Sequence, residues 1–207
     1  MSERTTVRAI LSAILALWLC PARAEAHLVT TGLGPVYDGI DHFFLSPGDE
    51  IPALALALLA GLRGTAAGRR ALAVLPVAWL AGGWAGLATR GWSAPPEEMV
   101  GALSLLLLGV LVASDIALPA AVVAGLAGLL GLAHGFLDGV GFLQAGMGKG
   151  MLEITGIAVT LFVLVALGAA AAVVAKPMWA RTAVRVLGSW IAASGLLWTG
   201  WVLHGFK

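Results

Sequence analysis

Apolar residues run in six long blocks along the chain, at roughly 47–66, 71–89, 97–114, 116–138, 152–175 and 184–204, and polar residues collect between them. Most of these blocks approach the ~20 residues a helix needs to cross a hydrocarbon core, so the pattern predicts about six transmembrane helices. Helix-end signals agree with it. Ser46-Pro47-Gly48-Asp49 offers an N-cap residue, a proline at the first helical position and an acid in the first turn. Pro95-Pro96-Glu97-Glu98 opens the third block, Pro119 stands at the start of the fourth, and Lys176-Pro177 closes the fifth. The first block is short. Residues 34–45 are too polar to span and read as a re-entrant or interfacial segment.

The N-terminus has a different pattern. Arg4 and Arg8 precede an apolar run from Ala9 to Leu19, Pro21 breaks it, and Ala24-Glu25-Ala26 supplies small residues at a cleavage site. This is the layout of a secretory signal peptide. The expected division is a leader at 1–26, an outer-face segment at 27–46 and a six-helix membrane domain at 47–207. Cleavage starts the mature chain at His27, on the outer side of a bacterial inner membrane. In that topology Arg63, Arg69, Arg70, Lys176, Arg181 and Arg185 fall in cytoplasmic loops, and only Arg90, Lys149 and Lys207 fall outside. The excess of basic residues within agrees with the positive-inside rule.

Composition narrows the function. The chain of 207 residues is 60% hydrophobic and 11% charged, with a mean hydropathy of +0.97; a soluble domain has nowhere to hide that much apolar surface. The fold class is therefore all-α, an integral membrane bundle. A net charge of +1 gives no basic excess for nucleic acid. A single cysteine excludes a disulfide framework or a thiolate-based metal cluster. No Walker A loop, dinucleotide fingerprint or nucleophile elbow occurs, which argues against ATP-driven transport by this chain alone.

The candidate chemistry is histidine with aspartate. In the predicted topology all four histidines, His27, His42, His134 and His204, fall on the outer side. Asp38, Asp41 and His42 share one face if their segment is helical, and His134 and Asp138 lie one turn apart. Imidazole with carboxylate and no sulfur suits a divalent transition metal. The candidate ligands are His42, His134, Asp41, Asp38 and Asp138, with His27 as a further one if the new terminus chelates. The plainer alternative makes each group a solvated cap or polar glue between helices. His204, at a helix end, and Glu153, at the start of the fifth span, have structural explanations. Polar residues that could carry an ion inward are few: Ser104, Ser114, Asp115, Thr155 and Thr160.

Gly39-Ile40-Asp41-His42 after a leader, Ala133-His134-Gly135 in the fourth span, and the stretch from Thr31 to Gly64 resemble the HupE/UreJ family of small membrane proteins. The resemblance implies a six-span secondary permease for nickel or cobalt that serves hydrogenase or urease maturation. It assigns Asp41, His42 and His134 to metal-ligand positions. Pro35 stands where the family pattern has its first His, and Gly139 stands at the pattern's Glu position, with Asp138 one residue earlier. The expected cargo is nickel or cobalt, with zinc or copper as alternatives. The expected partners are the ion, the bilayer and metalloenzyme maturation proteins. Two other classes compete: a non-transporting metal-site subunit, and a membrane metal-dependent hydrolase using Glu153 or Asp38 as its base.

Overall fold

The computed structural model describes residues 30–89, 96–175 and 177–205. The expected leader and His27 lie outside the described residues. Those residues form seven α-helices and no strand: α1 (Pro35–Leu45), α2 (Pro47–Leu62), α3 (Thr65–Ala88), α4 (Glu97–Ser114), α5 (Ala120–Gly141), α6 (Met147–Val174) and α7 (Met178–His204), with a 3-10 turn at Phe142–Ala145. Helices α3 to α7 are each long and apolar enough to cross a membrane, and α1 with α2 makes a sixth candidate span bent by 79°.

The bend has a local cause. Pro47 disfavours helical geometry at the residue before it, and Ser46 is extended at φ −105°, ψ 85°. Ser46 does occupy the N-cap of α2, but its hydroxyl makes no capping bond; its carbonyl accepts the N–H groups of Asp49 and Glu50. Elsewhere the helices outrun the hydropathy pattern. α6 begins at Met147 rather than 152, and α7 at Met178 rather than 184. Gly148-Lys149-Gly150, expected in a loop, is the first turn of α6. Gly150 suits that place because a Cβ there would meet Leu87 Cδ2 at 2.7 Å.

α2 is the centre of the bundle and touches every other helix. Ala53, Ala55, Leu56, Ala57, Leu59 and Ala60 are fully buried, and so many small side chains let the neighbouring helices approach closely. Around it the helices pair along glycine seams. Gly82 and Gly86 of α3 abut the α5 backbone, Gly131, Gly135 and Gly139 of α5 abut that of α3, and a Cβ on Gly135 would strike the Trp79 backbone. Gly109 of α4 meets Gly188 of α7 in the same way. α1 crosses α6 reciprocally, with Gly39 against the backbone of Glu153 and Gly156 against that of Val36. Outward-facing side chains such as Leu107, Leu129, Phe162, Leu167 and Leu197 are exposed apolar groups suited to lipid.

The two ends of the bundle differ in charge. At one end Asp115, in left-handed geometry at the close of α4, pairs with Arg63 and Arg181. Arg63 also donates to the Ile116 carbonyl at 2.9 Å, and Arg185 to that of Ala113 at 3.0 Å. This network joins the ends of α2, α4 and α7. The other end holds nearly every buried polar side chain.

The seam between α3 and α5 is testable. Gly135→Val is expected to cost about 1–3 kcal/mol or more by overpacking, read as a lower melting temperature in detergent. Gly125→Val, on the same helix with nothing within 4 Å of its Cβ position, is expected to be near neutral. Equal melting temperatures for the two variants would refute this account of the packing.

Candidate metal centre

Among the described residues the buried polar or charged side chains are Asp38, Asp49, His134, Asp138, Glu153 and Thr160. Thr160 bonds the Gly156 carbonyl of its own helix at 3.0 Å. The other five gather where α2 and α6 begin and α5 ends. They are placed there by helices of unequal length. From Leu62 back to Asp49 is roughly 20 Å at 1.5 Å per residue, about 10 Å short of a ~30 Å hydrocarbon core. Asp49 is therefore sunk into the bundle while α1 folds across above it.

Three side chains converge there. Ligand atoms of His42, Asp49 and Asp138 all lie within 4.8 Å of one another. His42 Nε2 stands 3.6 Å from Asp138 Oδ1. Donor atoms around an ion bound at ~2.1 Å are about 3–3.5 Å apart, so the His42–Asp138 pair needs almost no movement, and no pair, all lying within 4.8 Å, needs much more than about an ångström. Two nearby carboxylates and one imidazole offer charge and donors matched to a divalent cation. Without a cation, two acids buried side by side are costly.

Each ligand is held by a partner. Asp138 Oδ2 accepts the Trp79 indole N–H at 2.7 Å, which leaves Oδ1 towards His42. Asp49 Oδ1 accepts from His134 Nδ1 at 2.6 Å, and the Ser104 hydroxyl meets His134 Nε2 at 2.9 Å. Both ring nitrogens of His134 are thus engaged; it orients Asp49 in this arrangement and does not itself face the gap between the ligands. Asp49 lies in the first turn of α2, where the helix dipole favours an anion. His42 packs edge-on against Phe142, with ring centroids 4.9 Å apart.

Beside the three candidate ligands opens a cavity of about 220 Å³, lined among others by Asp38, His42, Glu97, Asp138, Lys149 and Glu153. Below them the bundle is closed. Trp79, Phe43, Leu56, Leu75, Ile157 and Leu161 are fully buried. The residues expected to mark an inward path do not form one: Ser114 and Thr155 bond carbonyls of their own helices, and Asp115 is paired with arginines at the far end.

The sequence-derived set is therefore divided. His42 and Asp138 meet, and His134 stands behind them. Asp38 is one step away, paired with Thr31 and Lys149. Asp41 is half-buried on α1, outside both the three-residue group and the cavity lining. His204 is exposed and bonds the Gly200 carbonyl at 2.8 Å. Asp49 was legible only as a helix-opening acid, Ser104 only as a scattered polar residue, and Trp79 carried no signal at all.

Three kinds of comparison set the chain beside known proteins. A family model described as HupE / UreJ protein matches residues 15–198. No curated protein and no solved structure matches.

The bond between Asp49 and His134 leads to a double-mutant prediction. His134→Ala strands a buried carboxylate and is expected to destabilise the protein by about 3–5 kcal/mol. Asp49→Asn in the same chain is expected to recover at least ~1 kcal/mol of that loss. Additive melting shifts in detergent would show that the two residues act independently.

Proposed function

Because the chain belongs to the HupE/UreJ family, we propose that it takes a divalent transition-metal ion, nickel or cobalt, from outside a bacterial inner membrane and passes it inward as a secondary permease. The observation that carries this reading is the convergence of His42, Asp49 and Asp138 donor atoms within 4.8 Å, beside a cavity that His42 and Asp138 line. His42, Asp49 and Asp138 hold the ion, and His134, braced by Ser104, fixes the carboxylate of Asp49. Asp41, half-buried one residue before His42 on α1, is a reserve donor for an ion on its way into the cavity.

Charge supports the orientation. Of the described basic residues, Arg63, Arg69, Arg70, Arg181 and Arg185 lie at or near the end remote from the site, and Lys149 lies at the site end. The positive-inside rule then turns the cavity outward. A helix broken next to a buried ion-binding group also matches the way secondary transporters build their substrate sites. The closed bundle below the ligands fits a state open to one side only.

That same closed floor favours a second reading, in which the protein holds metal for a maturation partner without moving it across. A hydrolase has less support, because the two acids expected to serve as its base, Asp38 and Glu153, are both paired with Lys149.

Exposing the purified chain to nickel, cobalt, zinc, manganese and copper together is expected to leave about one ion per chain by elemental mass spectrometry, with nickel or cobalt preferred. His42→Ala and Asp138→Asn are each expected to lose it, and His204→Ala to keep it. Undiminished metal in the first two would refute the three-ligand site. Uptake of the ion into reconstituted vesicles is the result expected of a permease; binding without uptake would select the holding role.

A further inference from the structure

We propose that Asp38 and Glu153 form a second cation subsite in the same cavity, occupied by the ammonium of Lys149 as a tethered stand-in, and that a divalent cation entering the cavity displaces Lys149 on its way to the deeper ligands. Lys149 Nζ stands 3.6 Å from Asp38 Oδ2 and 3.5 Å from Glu153 Oε1, nearly midway between two buried carboxylates. The two acids are on different helices, and the reciprocal glycine crossing of α1 and α6 holds them together.

Three features mark this trio as more than a brace. Glu153 is only 4% exposed, lines the cavity, and its Oε2 is buried without a hydrogen-bond partner. A buried carboxylate oxygen left empty is costly, and a cation in the cavity offers it a partner. Asp38 is held differently, with both oxygens engaged: Thr31 donates its N–H and its hydroxyl to Oδ1, at 2.6 and 2.7 Å, which fixes the carboxylate with Oδ2 towards Lys149. The charge balance of the lining is the third feature. Among the described lining residues, the carboxylates of Asp38, Asp138 and Glu153 outnumber the one permanent cation, Lys149, with the titratable His42 beside them.

The donors here are carboxylate oxygens alone. Such a site takes hard divalent ions of the manganese or magnesium type and selects little among transition metals. Selection falls to the deeper site, which adds an imidazole. Lys149 then sets a threshold: a monovalent ion gains too little from two carboxylates to replace a covalently tethered ammonium, whereas a divalent ion gains more from the same pair. The subsite shares no residue with His42, Asp49 and Asp138, so either site can fail without the other.

The test is a Mn²⁺ titration of the full chain in detergent, followed by the loss of the free-ion spin-resonance signal. Lys149→Met is expected to gain one bound Mn²⁺ per chain, at a half-saturation at least ~10-fold lower than wild type shows for that equivalent. Glu153→Gln added to Lys149→Met is expected to abolish the gain, and His42→Ala added to it to leave the gain intact. Lys149→Gln, which keeps an N–H donor for Glu153, gives the same readout if Lys149→Met does not purify folded. Unchanged Mn²⁺ binding in a folded Lys149 variant would overturn the proposal and reduce the trio to a clasp between α1 and α6. Gain of Mn²⁺ in Lys149→Met beside a wild type that retains no nickel or cobalt would sink the three-ligand site and leave this one standing.

Discussion

The hydrogen bond between His134 and Asp49 is the contact around which the bundle is arranged. It joins the middle of α5 to the first turn of α2 in a setting with little water to share the load, and Ser104 extends it to α4. A polar pair of this kind in a membrane protein fixes rotation as well as distance, because neither side chain has a cheap alternative partner. Once α2 and α5 are keyed, Asp138, one turn beyond His134, faces the same gap, and Trp79 across the glycine seam is in reach to hold it.

The glycine seams serve the same end. Where α3 and α5 touch backbone to backbone, the Trp79 indole can reach both Asp138 and His134; its ring is tilted by 34° to that of His134, with centroids 5.5 Å apart. A wider helix separation would leave the indole nitrogen without its acceptor. Close packing here is what positions a donor, in addition to what it contributes by van der Waals contact.

The membrane-spanning pattern was legible because lipid imposes a long apolar block on every helix, and glycine or alanine content does not obscure it. The helix starts at Met147 and Met178 were not, because Gly148, Lys149, Arg181 and Arg185 are polar or flexible residues that the fold holds helical through tertiary contact. His42, His134 and Asp138 stood out as costly residues in or near apolar blocks. Asp49 did not, since an acid after Ser-Pro-Gly has an adequate local explanation as a dipole partner. Its second role depends on a residue 85 positions away, a separation that no local pattern encodes. The division of labour among the acids was hidden for the same reason: Asp38 and Asp41 look equivalent on a helical wheel, and only the crossing of α1 over α6 sends one to Lys149 and leaves the other at the margin.

The 79° bend at Ser46 and Pro47 lies between two of the three converging side chains, His42 before it and Asp49 after it. The separation of those donors is therefore governed by backbone torsions at one residue, with side-chain rotamers making the fine adjustment. Straightening α1 on α2 would draw the imidazole away from the two carboxylates and undo the convergence of the three side chains. An interhelical angle is in this way written directly into the aperture of a three-donor group, and a swing of the short helix is equivalent to opening or closing it.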